Sequence, residues 1–159
     1  MQPLVQLFIL FFGFILGFIL YELTRYRIGG VVAIPIMAIY TLDNPVMLPI
    51  FLFSIVICLL AVHIITEKTL FYGRRLLYLN LAFSIVTTSF LIFLLGSYME
   101  MNLTSVTVGS IFPGIVAFNI SRESYDFENA VKTGVMMLWN FLIVLLFGLA
   151  LTLAAGWRP

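Results

Sequence analysis

The fold class is decided by Asn44–Thr66, NPVMLPIFLFSIVICLLAVHIIT, a stretch of 23 residues without Asp, Glu, Lys or Arg. A helix that crosses a bilayer needs about 20 mostly apolar residues, so this stretch is long enough to span. Five further stretches contain none of these charged residues: Met1–Tyr21, Ile28–Leu42, Leu76–Met99, Met101–Ser121 and Thr133–Trp157. The pattern predicts an all-α integral membrane protein with about six transmembrane segments.

The composition predicts a single transmembrane domain over residues 1–159. Of the 159 residues, 63% are hydrophobic and 9% are charged, whereas soluble domains carry about 25% charged residues. A soluble fold of this length has too little polar surface with so few charges. The composition therefore excludes a soluble enzyme, a nucleic-acid-binding protein and a secreted module. Residues 4–21 lack the basic start and cleavage site of a signal peptide, so we expect them to remain as the first helix.

The basic residues predict the orientation of the chain. If six segments cross and the N-terminus is outside, the first, third and fifth loops face the cytoplasm. Those loops hold seven of the eight basic residues, namely Arg25, Arg27, Lys68, Arg74, Arg75, Arg122 and Lys132. The positive-inside rule favours this arrangement, a multi-pass protein of the plasma (inner) membrane with both termini outside. In the competing arrangement, the segments near 28–41 and 104–119 are re-entrant, four crossings remain, and the basic residues divide four against four.

Two short apolar segments at matching positions predict an internal repeat. Segment 28–41 contains Pro35, and segment 104–119 contains Pro113 followed by Gly114. As helices they would reach only about 21 and 24 Å, less than the bilayer core of about 30 Å. Short segments interrupted by Pro in both halves indicate an inverted 3+3 repeat, with candidate halves 1–70 and 76–156. The simpler interpretation is that membrane helices tolerate proline.

Small and polar residues at helical spacing predict helix faces turned away from lipid. The sixth segment carries Thr133, Asn140, Gly148, Thr152 and Ala155, and the fourth carries Asn80, Ser84 and Thr87 or Thr88. These residues either join helices or, with Asn119, line a substrate path. Gly13 and Gly17 form a GxxxG motif, which indicates close helix contact either within the chain or in a homo-oligomer.

The densest candidate site is Tyr72-Gly73-Arg74-Arg75 in the third loop. Two adjacent guanidinium groups beside a Gly-permitted turn suit recognition of carboxylate or phosphate. Alternatively, the arginines hold the loop in the cytoplasm and contact lipid headgroups. The sequence predicts no catalytic residues and no metal ligands, since no cluster of His, Cys, Asp or Glu has metal-ligand spacing.

These motifs resemble those of the PgsC or CapC family, the small membrane subunit of poly-γ-glutamate synthesis. The resemblance covers roughly residues 20–150 and rests on chain length, hydrophobic layout and three motifs. The motifs are Tyr72-Gly73-Arg74-Arg75, Pro35 followed ten residues later by Pro45, and Pro113-Gly114 followed by Asn119 and Arg122.

The resemblance implies a subunit of a complex that is not catalytic by itself. Family members work with a cytoplasmic ATP-dependent amide ligase and usually with an extracytoplasmic, membrane-anchored subunit. ATP and a divalent metal would then bind to the ligase, and no cofactor would bind to this chain. Arg74 and Arg75 would bind the ligase or guide the anionic polymer. Arg25, Arg27, Lys68 and Arg122 would complete a basic cytoplasmic rim. The alternative function is a stand-alone small-solute transporter with inverted repeats.

Overall fold

The computed structural model describes residues 2–24, 31–68, 73–96, 109–122 and 127–156. Within these ranges the regular structure is helical and contains no strand. The helices are α1 (Pro3–Thr24), α2 (Ala33–Asp43), α3 (Met47–Lys68), α4 (Arg74–Gly96), α5 (Phe112–Arg122) and α6 (Phe127–Ala154). The all-α class predicted from the sequence is confirmed.

Four of these helices, α1, α3, α4 and α6, are long and apolar enough to cross a membrane. Many of their large apolar side chains point outward, such as Phe11 with 62% of its surface exposed and Phe93 with 78%. Continuous apolar surface of this extent suits lipid rather than water. In contrast, α2 and α5 contain 11 residues each. Each is roughly 17 Å long, too short to cross the bilayer core of about 30 Å alone.

The two motif prolines lie at the starts of the short helices. Pro35 is the third residue of α2 and Pro113 is the second residue of α5. The first N–H groups of a helix have no acceptor within that helix, so a proline there loses no helical hydrogen bond. The interruption expected at Pro35, Pro113 and Gly114 therefore falls where each short helix begins, and α2 and α5 continue as regular helices.

Contacts at two glycines define the two ends of the bundle. A Cβ added at Gly148 would lie 2.6 Å from Leu42 Cδ1 and 3.1 Å from Ile9 Cδ1. The start of α1, the end of α2 and the end of α6 therefore lie together, at what we call the terminal end. At the opposite end, Ile120 Cδ1 lies 3.9 Å from the position of a Cβ on Gly134. Helix α5 finishes and α6 starts at this end. We call it the basic end, because Arg122 finishes α5 there.

The short helices occupy the centre of the bundle. The main packed pairs are α1·α2, α1·α6, α2·α3, α2·α5, α2·α6, α3·α4, α3·α5, α4·α5 and α5·α6. Most of α2 is buried, including Ala38 and Ile34. The long helices thus pack around α2 and α5, and the buried core joins side chains of both short helices with inward-facing side chains of the long ones.

Candidate functional site

Helix α2 begins beside the middle of α1. A Cβ added at Gly13 would lie 2.5 Å from Pro35 Cγ, and one added at Gly17 would lie 3.2 Å from Val31 Cγ1. The glycines of the GxxxG motif therefore allow a close contact within the chain, which is one of the two interpretations of these residues. Because Gly13 lies beside Pro35 and Gly17 beside Val31, α2 runs antiparallel to α1, from the middle of α1 to the terminal end.

Helix α5 begins beside the middle of α4 in the same manner. A Cβ added at Gly114 would lie 2.8 Å from the Asn80 carbonyl oxygen and 2.8 Å from Ser84 Cβ. The Ser84 hydroxyl also donates a hydrogen bond to the Ser110 carbonyl oxygen. Since Ser110 lies beside Ser84 and Gly114 beside Asn80, α5 runs antiparallel to α4 and ends at the basic end, where α4 starts.

The N-termini of α2 and α5 therefore both lie near the middle of the bundle, and the two helices run from there to opposite ends. A helix N-terminus has four N–H groups without intrahelical acceptors and carries a partial positive charge of about half an elementary charge. The N-cap of α2, Val32, supplies no side-chain hydrogen bond. In membrane transporters, pairs of helices that cross only half of the bilayer and begin near its middle hold anionic groups at their N-termini.

A polar cluster joins α3, α4 and α5 beside the N-terminus of α5. The Ser54 hydroxyl is 2.7 Å from Thr88 Oγ1 and 3.0 Å from Thr87 Oγ1. Asn80, Ser84 and Thr88 are fully buried, which confirms that this face of α4 is turned away from lipid. Ser54 and Ser110 were not singled out from the sequence. In the sequence, Ser54 is a single small polar residue within an apolar run, and Ser110 follows Thr104, Ser105 and Thr107. Neither pattern singles out the residue before its partner is known.

The polar stripe of α6 also faces the interior, but several of its polar atoms have no partner. Thr133, Asn140, Gly148 and Thr152 are buried, whereas Ala155 is exposed just beyond the helix. The Thr152 hydroxyl donates to the Leu149 carbonyl oxygen at 2.8 Å. Thr133 Oγ1 and both polar atoms of the Asn140 side chain have no hydrogen-bond partner among the described residues, and neither does Asn80 Oδ1.

An apolar cavity of about 120 Å³ lies where α2, α3, α5 and α6 meet. Its lining includes Ile34 and Met37 of α2, Val116 of α5, and Met137 and Phe141 of α6. The side chains around it are apolar, and neither the polar cluster at α4 nor the unpartnered residues of α6 line it.

The exposed arginines lie at the basic end. Arg74 and Arg75 are the first two residues of α4 and follow Gly73, whose positive φ of 60° suits a residue without Cβ. Arg122 is the last residue of α5 and is also exposed. Since α4 starts where α5 ends, these three arginines lie at the same end of the bundle. Lys132, near the start of α6, forms an exposed ion pair with Glu128 at 2.5 Å.

A family model described as capsule biosynthesis CapC matches residues 12–127, which are 116 of the 159 residues. The chain belongs to this CapC family. The resemblance inferred from the sequence is thereby confirmed, and the protein is a membrane-embedded component of capsule biosynthesis. No match was found among curated proteins or among solved structures. The matched part of this CapC chain includes α2 to α5, and with them both short helices and the Tyr72–Arg75 motif.

The CapC chain does not bring its three candidate path-lining asparagines into one cluster. Asn80 and Asn140 lie on α4 and α6, which are not among the main packed pairs. Asn119 is half-buried near the basic end, where its Nδ2 donates to the Ile115 carbonyl oxygen at 2.8 Å. Tyr72, Arg25 and Arg27 lie outside the described residues.

Proposed function

We propose that this CapC chain is the membrane subunit of a complex that synthesises and exports poly-γ-glutamate or a related anionic γ-linked polypeptide. The family match is the observation that carries the proposal. In this complex a cytoplasmic ATP-dependent amide ligase, which binds ATP and a divalent metal, extends the polymer. An extracytoplasmic membrane-anchored subunit acts on the other side. The CapC chain anchors the ligase and assists translocation without being catalytic itself.

The proposed topology has six crossings of the plasma membrane, with both termini outside. It is supported by the terminal end, where Ile9 of α1, Leu42 of α2 and Gly148 of α6 meet. A chain that enters α1 and leaves α2 at the same end has crossed twice. The exposed Arg74, Arg75 and Arg122 at the opposite end favour a cytoplasmic location of that end. Each short helix would then form half of one crossing.

We also propose that the six segments form an inverted repeat with halves 1–70 and 76–156. Exchange of α1 with α4, α2 with α5 and α3 with α6 converts the set of main packed pairs into itself. For example, α1·α2 becomes α4·α5, and α2·α6 becomes α3·α5. The two halves run in opposite directions, since α1 starts at the terminal end and α4 at the basic end. The Thr41 hydroxyl donates a hydrogen bond to the Met37 carbonyl oxygen, and Asn119 Nδ2 donates one to the Ile115 carbonyl oxygen. The donor and the acceptor of the second bond each lie 78 residues after those of the first.

In this proposal the basic end is the surface that binds the ligase or guides the nascent polymer. Arg74 and Arg75 present two planar guanidinium groups, each able to form paired hydrogen bonds with a carboxylate. Arg122 lies at the same end, and Arg25, Arg27 and Tyr72 would complete the surface. The ion-paired Lys132 provides a matched charge at this end for comparison.

The test is a chain with Arg74→Ala and Arg75→Ala, expressed in the native host and compared with Lys132→Ala. Cell-surface polymer and ligase co-purified with the tagged chain are measured, together with the amount of chain in the membrane. We expect the double variant to remain in the membrane but to lose ligase or polymer by about tenfold, equivalent to about 1.4 kcal/mol of binding free energy. Lys132→Ala should retain both. Normal polymer and normal ligase recovery in the double variant would reject this role of the arginines.

A stand-alone transporter for a small solute is the second candidate function. The specific observation in its favour is the pair of half-helices with N-termini near the middle of the bundle, a geometry typical of secondary transporters. This function requires solute flux by the purified chain alone in liposomes. Such flux, together with purification free of any ligase, would favour the transporter over the polymer subunit.

A further inference from the structure

We infer that the apolar cavity at the meeting point of α2, α3, α5 and α6 is a binding site for one acyl chain of a membrane phospholipid. The site reaches the interior of the bundle and opens sideways to the bilayer between α3 and α6. It goes beyond the proposed function, because it requires only that the chain is embedded in a membrane and involves neither the ligase nor the polymer.

The cavity lies between two groups of three helices. In the first group α1, α2 and α6 all pack against one another, and in the second group α3, α4 and α5 do the same. Among the main packed pairs of the described residues, α2·α3, α2·α5 and α5·α6 join the two groups, whereas α3·α6 is not one of these pairs. The cavity is lined by α2 and α6 of the first group and by α3 and α5 of the second. It therefore lies beside the two long helices that do not close against each other.

The mouth of the cavity opens toward lipid. Leu52 of α3 and Leu138 of α6 line the cavity, yet 43% and 46% of their surfaces are exposed. Other lining residues, such as Phe51 and Met137, are buried, with 1% and 3% of their surfaces exposed. The lining thus runs from the outer surface of two candidate membrane spans into the core. The cavity is continuous with the apolar surface that lipid covers.

Both leucines at the mouth lie at the depth of the lipid chains. Leu52 is five residues after the start of α3, and Leu138 is six residues after Lys132, the last charged residue of α6. These separations correspond to about 8 and 9 Å along the helices. A molecule that enters between α3 and α6 at this depth comes from the hydrocarbon part of the bilayer and not from water.

The cavity suits a hydrocarbon chain in polarity and shape. Its volume is about 120 Å³ and its lining is apolar, and an apolar cavity of about 150 Å³ in a protein stays dry and takes up apolar molecules. The lining extends from Leu48 to Ile55 on α3 and from Gly134 to Phe141 on α6, which is about 10 Å along each helix. An occupant that contacts the whole lining is elongated in the direction of the helices, as an acyl chain in a bilayer is.

Packing, rather than transfer out of water, stabilises a chain in this cavity. Lipid chains are as apolar as leucine, so a chain that moves from lipid into the cavity gains little hydrophobic free energy. The side chains around an empty cavity lack partners for dispersion contacts, and a chain that fills the cavity supplies them. Because Met37 of the first group and Val116 of the second both line the cavity, the bound chain contacts both groups of helices.

The test uses a phosphatidylcholine with a photoreactive diazirine in one acyl chain. The purified full chain is placed in nanodiscs of phosphatidylcholine that contain this lipid, and the labelled residues are identified by mass spectrometry after irradiation. We expect label on Val116 and Met137, which are buried in the cavity lining, as well as on the outward-facing Phe93. Val144 is fully buried and outside the lining, so it gives the background.

Gly134→Leu fills the cavity from within. Gly134 is part of the lining, and a Cβ added there would lie 3.9 Å from its nearest neighbour, Ile120 Cδ1, so a larger side chain has room. We expect this variant to unfold at or above the wild-type temperature. The label on Val116 and Met137 should fall to the background level, and the label on outward-facing residues should be unchanged.

Two further variants separate occupation of the cavity from a general change in the membrane surface. Val135→Phe enlarges the next residue of α6, which is 48% exposed and does not line the cavity, so this control should keep the label on Val116 and Met137. Leu52→Trp narrows the mouth from α3 and should reduce that label. It serves if Gly134→Leu does not fold.

Three results would overturn the inference. If Val116 and Met137 of the wild-type chain stay at background while outward-facing residues are labelled, no lipid chain enters the cavity. If that result is accompanied by a dimer in the nanodiscs, a second copy covers the mouth instead. If the label on these residues is the same in the wild type, Gly134→Leu and Leu52→Trp, the lipid reaches them by a route other than the cavity. The proposed function is judged separately by ligase co-purification.

Discussion

Glycine residues determine how closely the central helices approach their neighbours. Gly13 and Gly114 lie where a short helix meets the backbone or proline ring of another element, and an added Cβ at either position would come within 3.0 Å of a neighbouring atom. The GxxxG pattern predicted close contact at Gly13 but not which helix would make it. The contact with α2 depends on the path of the whole chain, which no local spacing contains.

Gly13→Ala should therefore destabilise the chain, since its new methyl group would overlap Pro35 and the bundle must open to relieve the overlap. We expect a loss of about 1–3 kcal/mol, measured as the free energy of unfolding in detergent. Gly134→Ala is the matched control, because its nearest neighbour would lie at an ordinary 3.9 Å. Alanine also favours a helix by about 1 kcal/mol over glycine, so Gly134→Ala should be neutral or stabilising. Equal stability of the two variants would contradict the close contact at Gly13.

The buried polar residues illustrate what sequence can predict at this scale. Asn80, Ser84, Thr133 and Asn140 interrupt apolar stretches, and an unsatisfied polar side chain facing lipid is costly, so their burial follows from the sequence. Their partners do not. Whether Thr88 bonds Ser54, or Asn140 has no partner among the described residues, depends on the rotation of each helix about its axis, which the packing of the assembled bundle determines.

At the scale of the elements, the short helices are the least predictable part of the fold. The prolines and the limited apolar length predicted that segments near 28–41 and 104–119 differ from ordinary crossings. A proline is compatible both with a kink inside a helix and with the first turn of a new one. The position of the helix start decides between a kink and a new helix. That position follows from the contacts of α2 and the residue Val31 before it with Gly13 and Gly17, and from the hydrogen bond of Ser110 with Ser84.

Pro113→Ala should have little effect on stability, because Pro113 stands in the first turn of α5 and its missing N–H has no acceptor within the helix. We expect a change within about 1 kcal/mol. In contrast, Ala117→Pro places a proline in a fully buried position inside α5 and should cost about 3 kcal/mol or more. Unfolding of both purified variants in detergent provides the comparison. A Pro113→Ala variant as unstable as Ala117→Pro would mean that the proline has a role beyond starting the helix.

At the scale of the whole molecule, the proposed inverted repeat rests more on the packing than on the sequence. In sequence the match amounts to little more than Pro35 with Pro113 and a few small residues. Packing constrains the shape of each helix surface rather than the identity of its residues, so two halves can keep the same neighbours after their sequences diverge. In the proposed repeat, Gly13 and Gly17 on α1 and Asn80 and Ser84 on α4 contact the region where the neighbouring short helix starts, with different side chains.

The number of crossings can be tested at Val46, an exposed residue in the turn between α2 and α3. Six crossings place Val46 on the same side of the membrane as Gln2, whereas four crossings with re-entrant segments place it on the opposite side, with Lys132. Single cysteines at these three positions, in a Cys58→Ala background, are treated with a membrane-impermeant maleimide in intact and in permeabilised cells. We expect Gln2→Cys and Val46→Cys to react in intact cells and Lys132→Cys only after permeabilisation. Val46→Cys that behaves like Lys132→Cys would reject the six-crossing topology. The inverted repeat would fall with it, because each half needs an odd number of crossings to reverse its direction.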